Sequence, residues 1–216
     1  MCRLSDELSA PVPHDATPHD GGSGGCYDRA VAAIDEANRA DPTTVLIDGI
    51  DVPLALAHGQ RGVHWVLHLA PSADDPVLLA ARAHHLRRWE VPRRTYPEGK
   101  PGYLRWRRDQ KARHANDVAS LLAAAGYTGD TITRVQSLIK REHLGTDAPT
   151  QLVEDAACLV FLETQFAEFA AANEHDKVLD IVRKTARKMS PAGLAAVGDI
   201  GLGDHELAII GEALSA

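Results

Sequence analysis

Eleven histidines among 216 residues is a high count, and several are spaced for chemistry. His64 and His68 stand four apart, the spacing at which two imidazoles on one helix meet the same ion. His58 precedes them, the pair His84-His85 follows about one helix later, and His114 lies further on. Far downstream, Glu154 and Asp155 form a carboxylate pair at the head of a strongly apolar run. An all-α bundle holds a divalent metal with His and Asp side chains delivered from several helices. The candidate ligands are therefore His58, His84, His85 and Asp155, and the implied cofactor is a divalent metal of unspecified identity. His85, Glu154 and Asp155 are the candidate catalytic acid/base groups. A set of core and helix-surface histidines accounts for the same residues, and the sequence leaves both readings open.

The second concentration of chemistry is electrostatic. The chain carries a net charge of −7, yet residues 82–113 hold eleven basic residues against three acidic ones. That segment is +8 and the remainder −15, a segregation that points to a bound anion. Arg outnumbers Lys there nine to two, and arginine suits bidentate contact with phosphate or carboxylate. Arg88, Arg93 and Arg107 are the candidates to hold the anion, with Trp89 and Tyr96 shaping the pocket. Lys184 is added from a second cluster, Lys177, Arg183, Lys184, Arg187 and Lys188, should its helix pack beside the first. A solvated helix whose tryptophans anchor a loop is the plain alternative. The expected partner is an anionic small molecule. A non-catalytic RNA-binding module using the basic strip 82–113 is the competing reading, and docking to an acidic protein a third. The net charge of −7 opposes a long polyanion.

The order His58, His84-His85, Asp155 resembles the histidine-aspartate (HD) superfamily of metal-dependent phosphohydrolases, and "AARAHHLRRW" stands where those proteins have an apolar run ending in His-Asp. The resemblance implies His58 as first ligand, His84 as second and Asp155 as last, with metal-activated water attacking phosphorus. His85 occupies the expected Asp position; shifted by one, His85 becomes the ligand and Leu86 replaces the Asp. A closer resemblance covers nearly the whole chain after residue 26. "ARAHHLRRWEVPRRTYP", "GYLRWR", "VQSLI", "EDAACLVFLE" and "VRKTARKMSP" look like an uncharacterised family, domain-of-unknown-function family 4202, whose members are sometimes labelled glutamyl-tRNA synthetase. In that family the residue before the match to His85 is often Gln, which favours His85 over His84. The chain lacks the Gly-rich nucleotide loop and parallel-sheet pattern that such a synthetase's catalytic domain needs. The expected function is binding of a phosphorylated small molecule or nucleotide, with hydrolysis at an HD-like site.

The elements that must position these residues read as helices. Residues 1–26 form an expected disordered leader, rich in Pro and Gly and containing two His-Asp dipeptides. Residues 27–216 form an expected all-α single domain of about eight helices, an HD-like bundle with a core of Ala, Leu, Val and Ile. Asp74-Asp75-Pro76 opens a helix expected to end near Trp89, Gly126 closes one running from Tyr103, and Leu152 to Ala172 reads as the central helix. Val45 to Val52 is either an extended connector or a small hairpin. No apolar stretch reaches the roughly 20 residues of a membrane span, and no signal-peptide pattern opens the chain. Three widely spaced cysteines, Cys2, Cys26 and Cys158, fit a reducing cytoplasm, with Cys158 as inert packing. No Gly-x-Ser-x-Gly elbow exists, which leaves serine-hydrolase chemistry without support.

Overall fold

The computed structural model of the chain describes residues 24–47 and 49–215, so the expected leader lies outside it except for residues 24–26. Those three begin α1 (Gly24–Arg39). A two-stranded antiparallel hairpin, β1 (Thr44–Ile47) with β2 (Ile50–Pro53), follows and pairs Val45 with Val52. The remaining elements are α2 (Leu54–Leu69), α3 (Asp75–Ala83), α4 (Gly99–Ala125), α5 (Gly129–Lys140), α6 (Ala148–Thr164), α7 (Phe166–Ala171), α8 (His175–Ala186), α9 (Pro191–Ala195) and α10 (Asp204–Ser215). The fold is all-α, and no described helix is long and apolar enough to cross a membrane.

Two apolar cores hold the bundle. The larger joins α1 to α6 through residues such as Ile34, Trp65, Leu79, Leu86, Val118, Leu138 and Leu159. The smaller gathers α7, α8 and α10 around Phe166, and Val197 and Ile200 pack against both. Helix α6 is central, as its apolar circumference predicts, but it stops at Thr164 instead of running to Ala172. Gln165 leaves helical geometry at φ −134°, and the chain re-enters as α7 so that Phe166 reaches the second core.

Two local features build the site. Gly59 and Gly62 of α2 face the backbone of α3: a Cβ at these positions would lie 2.5 Å from the Arg82 carbonyl oxygen and 2.9 Å from that of Ala81. Only glycine permits that approach, and it sets His58 beside the end of α3. Helix α3, capped by the Asp74 side chain on Val77 N–H, ends at Ala83, well before Trp89. The chain then turns through His84–Arg87, and Arg87 adopts a left-handed conformation (φ 52°) whose N–H donates to the Asn38 side chain. His84 and His85 therefore sit on a tight turn, not on a helix.

Candidate histidine centre and its cationic rim

Helix α4 clamps this turn and fixes the histidines. Gln110 donates to the carbonyls of Arg88 and Val91, Trp106 Nε1 to that of Val91, and Arg113 to that of Arg87. His114, also on α4, donates from Nδ1 to the Leu86 carbonyl at 2.7 Å. His84 Nδ1 donates to the Ala81 carbonyl at 2.8 Å. Each ring's proton is thereby placed on Nδ1, leaving Nε2 as a bare lone pair. Both Nε2 atoms are buried and meet no partner among the described residues.

His58 and His85 complete the cluster. Their Nδ1 atoms lie 2.7 Å apart, and His58 Nε2 is 3.2 Å from Thr164 Oγ1. The Thr164 hydroxyl gives its proton to the Val160 carbonyl, so it accepts from His58 Nε2–H. His58 Nδ1 is then a bare acceptor facing His85 Nδ1–H. One ring nitrogen from each of His58, His84 and His85 falls within 4.8 Å of the other two, with His58 and His84 buried and His85 partly accessible. Burial, reinforced by neighbouring histidines and arginines, brings the pKa of His58, His84 and His114 down to about 3. Burial also carries His85 well below its usual value, helped by His84 and Arg88. Four neutral imidazoles thus lie in one cluster, with the His85 and His114 ring centres 6.3 Å apart.

Arg88 lies beside this cluster, close enough to act on His58, His85 and His114. Its guanidinium lies 4.4 Å from the centre of the Trp106 ring and forms no hydrogen bond or ion pair with any described residue. Burial lowers its pKa to about 10, and Arg107 pushes the same way. An unpaired, largely desolvated guanidinium beside neutral imidazoles offers its five donors to a ligand anion.

The two predicted carboxylates do not join the histidines. Asp155 accepts from Ser190 N–H at 2.8 Å, Ser190 Oγ–H at 2.6 Å and the Gln151 amide at 2.9 Å, so it closes the loop before α9. Glu154 is bound by Arg141 Nε at 2.7 Å in a pair whose side chains are 10% and 7% exposed. The metal-capable group contains three histidines without Asp155. His64 and His68 stand apart from it, with His68 bound to Asp199.

Five of the eleven cations of the basic strip are held in ion pairs. Arg82 pairs with Asp35, Arg87 and Arg113 with Glu90, and Arg105 and Arg108 with Asp109. Arg93 is spent on the carbonyls of Tyr96, Pro97 and Gly99, and Tyr96 donates to Asp109; both hold their own loop. Trp89 lines a shallow groove with Arg87, Glu90 and Ala37. Lys184 pairs with Asp180 on α8, which packs in the second core. Of the second basic cluster, Lys188 alone is felt at Lys111 and Glu154. The spacing of the chain does not single out Thr164, Arg141 or Lys111, which the fold brings to this region. His114 lies seven after Arg107 on one face of α4, which is the sequence signal that marks it as a site residue. Cys158 is buried and its thiol is pushed up to about 12 by burial, so it is unreactive packing.

Residues 28–210 match the family described as a domain of unknown function, DUF4202, and the chain belongs to that family. No curated protein and no solved structure matches the chain.

Proposed function

We propose that this DUF4202 protein is a metal-dependent phosphohydrolase that binds a divalent transition metal through His58, His84 and His85 and a phosphoryl group beside it through Arg88. The observation that carries this reading is the convergence of three neutral imidazoles with His84 Nε2 left without a partner among the described residues. Neutral nitrogen donors suit zinc and its neighbours in the transition series, and a three-histidine set leaves coordination open for water. The Nδ1–H donation from His84 to a backbone carbonyl is the outer contact that orients a ligating ring. Tetrahedral binding at about 2.0–2.1 Å requires nitrogens about 3.3 Å apart. The His58–His85 separation of 2.7 Å must then open by roughly half an ångström, and His85 must move its proton to Nε2. A metal held by the three histidines would supply an activated water, and Arg88 would hold the phosphoryl group for it. The set departs from HD order because Asp155 is committed elsewhere, so the reading stands on the three histidines and Arg88.

The test is titration of chelator-stripped protein with Co²⁺, read by its visible d–d absorption, followed by hydrolysis assays on phosphorylated small molecules. One ion per chain, lost in His84→Gln, is expected, with phosphate release that Arg88→Gln abolishes without displacing the ion. Absence of a saturable cobalt spectrum at one equivalent would overturn the metal reading. An ion that binds without any phosphate release across sugar phosphates and nucleotides would overturn the hydrolytic one.

A further inference from the structure

Beside the histidines, Arg141, Lys188 and Lys111 act on the Glu154 carboxylate, and Arg107 acts on Lys111. Arg107 and Lys111 lie one turn apart on α4, and Lys111 lies one turn before His114, so the three share a face. Arg141 is held in a left-handed conformation (φ 63°) at the end of α5, its Nε on Glu154 and its Nη1 on the carbonyls of Leu138 and Ile139. Lys188 is brought in by its own carbonyl, which accepts from Gln151 at 2.7 Å, one turn before Glu154 on α6. Glu154 is already engaged by Arg141, and among the described residues Arg107, Lys111 and Lys188 form no ion pair. The Arg107 guanidinium instead lies 5.7 Å from the centre of the Tyr103 ring.

Burial pushes the Lys111 ammonium down to about 8, and Arg141, Arg107 and Lys188 add to the shift against the pull of Glu154. So many cations around one engaged carboxylate repel one another in a partly desolvated space, and a second anion relieves that repulsion. The cluster adjoins the histidines: after burial, Arg141 is among the neighbours that hold His84 and His114 neutral.

We propose that Arg107, Lys111 and Lys188 form a second anion subsite next to the histidine centre, so that the ligand carries two anionic groups. The ligand class is a phosphorylated small molecule with a second phosphate, such as a diphosphate or bisphosphate. One phosphoryl group lies against Arg88 and the other against the two lysines. The inference rests on the Arg88 arm of the proposed function and is independent of the metal.

The test is calorimetric titration of the chelator-treated full chain with inorganic phosphate, pyrophosphate and tripolyphosphate. Two tethered anionic groups reinforce each other, so at least one condensed phosphate is expected to bind about tenfold or more tighter than phosphate. Lys111→Met and Lys188→Met should each remove most of that advantage and leave phosphate affinity unchanged. Arg88→Gln should weaken all three ligands, and Lys100→Met, an exposed lysine of the same strip, should change none. Two lysine variants give two independent readings should one of them fold poorly. Condensed phosphates binding no tighter than phosphate, or both lysine variants behaving as the parent, would overturn the subsite. So would an equal loss in Lys100→Met, which would mean diffuse attraction to the strip. Failure of the cobalt titration leaves this result untouched, and failure of Arg88→Gln alone refutes the Arg88 arm.

Discussion

Replacing Asp155 separates a ligand from a structural carboxylate. Asp155 is 3% exposed, and its carboxylate accepts three hydrogen bonds of 2.6–2.9 Å, two from Ser190 and one from Gln151. The same Ser190 hydroxyl accepts from Gly193 N–H at 3.1 Å, so one carboxylate orients the cap of α9. Hydrogen bonds to a charged group contribute about 1.5–3 kcal/mol each, and partial rehydration of Ser190 offsets some of the loss. Asp155→Ala should therefore cost about 3–5 kcal/mol, or roughly 10 °C in Tm for a chain of this size. Ser190→Ala should cost about 1–2 kcal/mol, and the two changes should be strongly non-additive because they share a bond. Urea unfolding and calorimetry measure both, and Co²⁺ uptake by folded Asp155→Ala should remain at the parent's stoichiometry. A variant with parental Tm that no longer takes up cobalt would refute the reasoning and return Asp155 to the ligand set.

Three further outcomes are expected. His58, His84 and His114 have pKa values of about 3 in the folded protein. Above pH 7 they are neutral in both folded and unfolded states and contribute nothing; as pH falls below about 6.5 only the unfolded chain binds protons, and stability declines toward pH 3. At pH 5 the loss is about 2 kcal/mol per histidine, at most about 6 for the three, so the urea midpoint of metal-free protein should fall steeply between pH 7 and 5; a flat profile contradicts the buried neutral cluster. Gly193→Ala should destabilise by about 1–3 kcal/mol in urea, since a Cβ there would lie 2.7 Å from Asp155 Cγ; parental stability would refute that packing. Glu154→Gln should cost about 3–5 kcal/mol by leaving Arg141 buried without its partner, and Arg141→Met with Glu154→Gln should recover part of it, a double-mutant cycle that fails if the losses simply add.

How much of the fold and site is legible in the sequence depends on whether a signal is local. Asp74-Asp75-Pro76 and Gly126 mark helix ends by backbone chemistry carried in the residues themselves, and those boundaries hold. Gly59 and Gly62 announce a close neighbour, and α3 is that neighbour. The early end of α3 and the break at Gln165 have no such mark. Arg87 is held left-handed by Asn38 from α1, and Phe166 is drawn into a core built from helices that follow it. The same distinction divides the site. His58, His84 and His85 stand out because few residue types ligate metals and their order is informative. Asp155 reads as one of them because a buried carboxylate on a central helix looks alike whether it faces an ion or a loop. Its partner Ser190 is 35 residues away. The arginines pose the converse problem: their number suggests a broad basic face, but Asp35, Glu90 and Asp109 engage five of them. Of the cations left without an ion pair among the described residues, Arg94 and Lys100 are exposed, whereas Arg88 at the histidines and Arg107, Lys111 and Lys188 near Glu154 and Arg141 are partly buried. A charge that the fold leaves unpaired in a partly desolvated place is stronger support for a ligand than a count of charges along the chain.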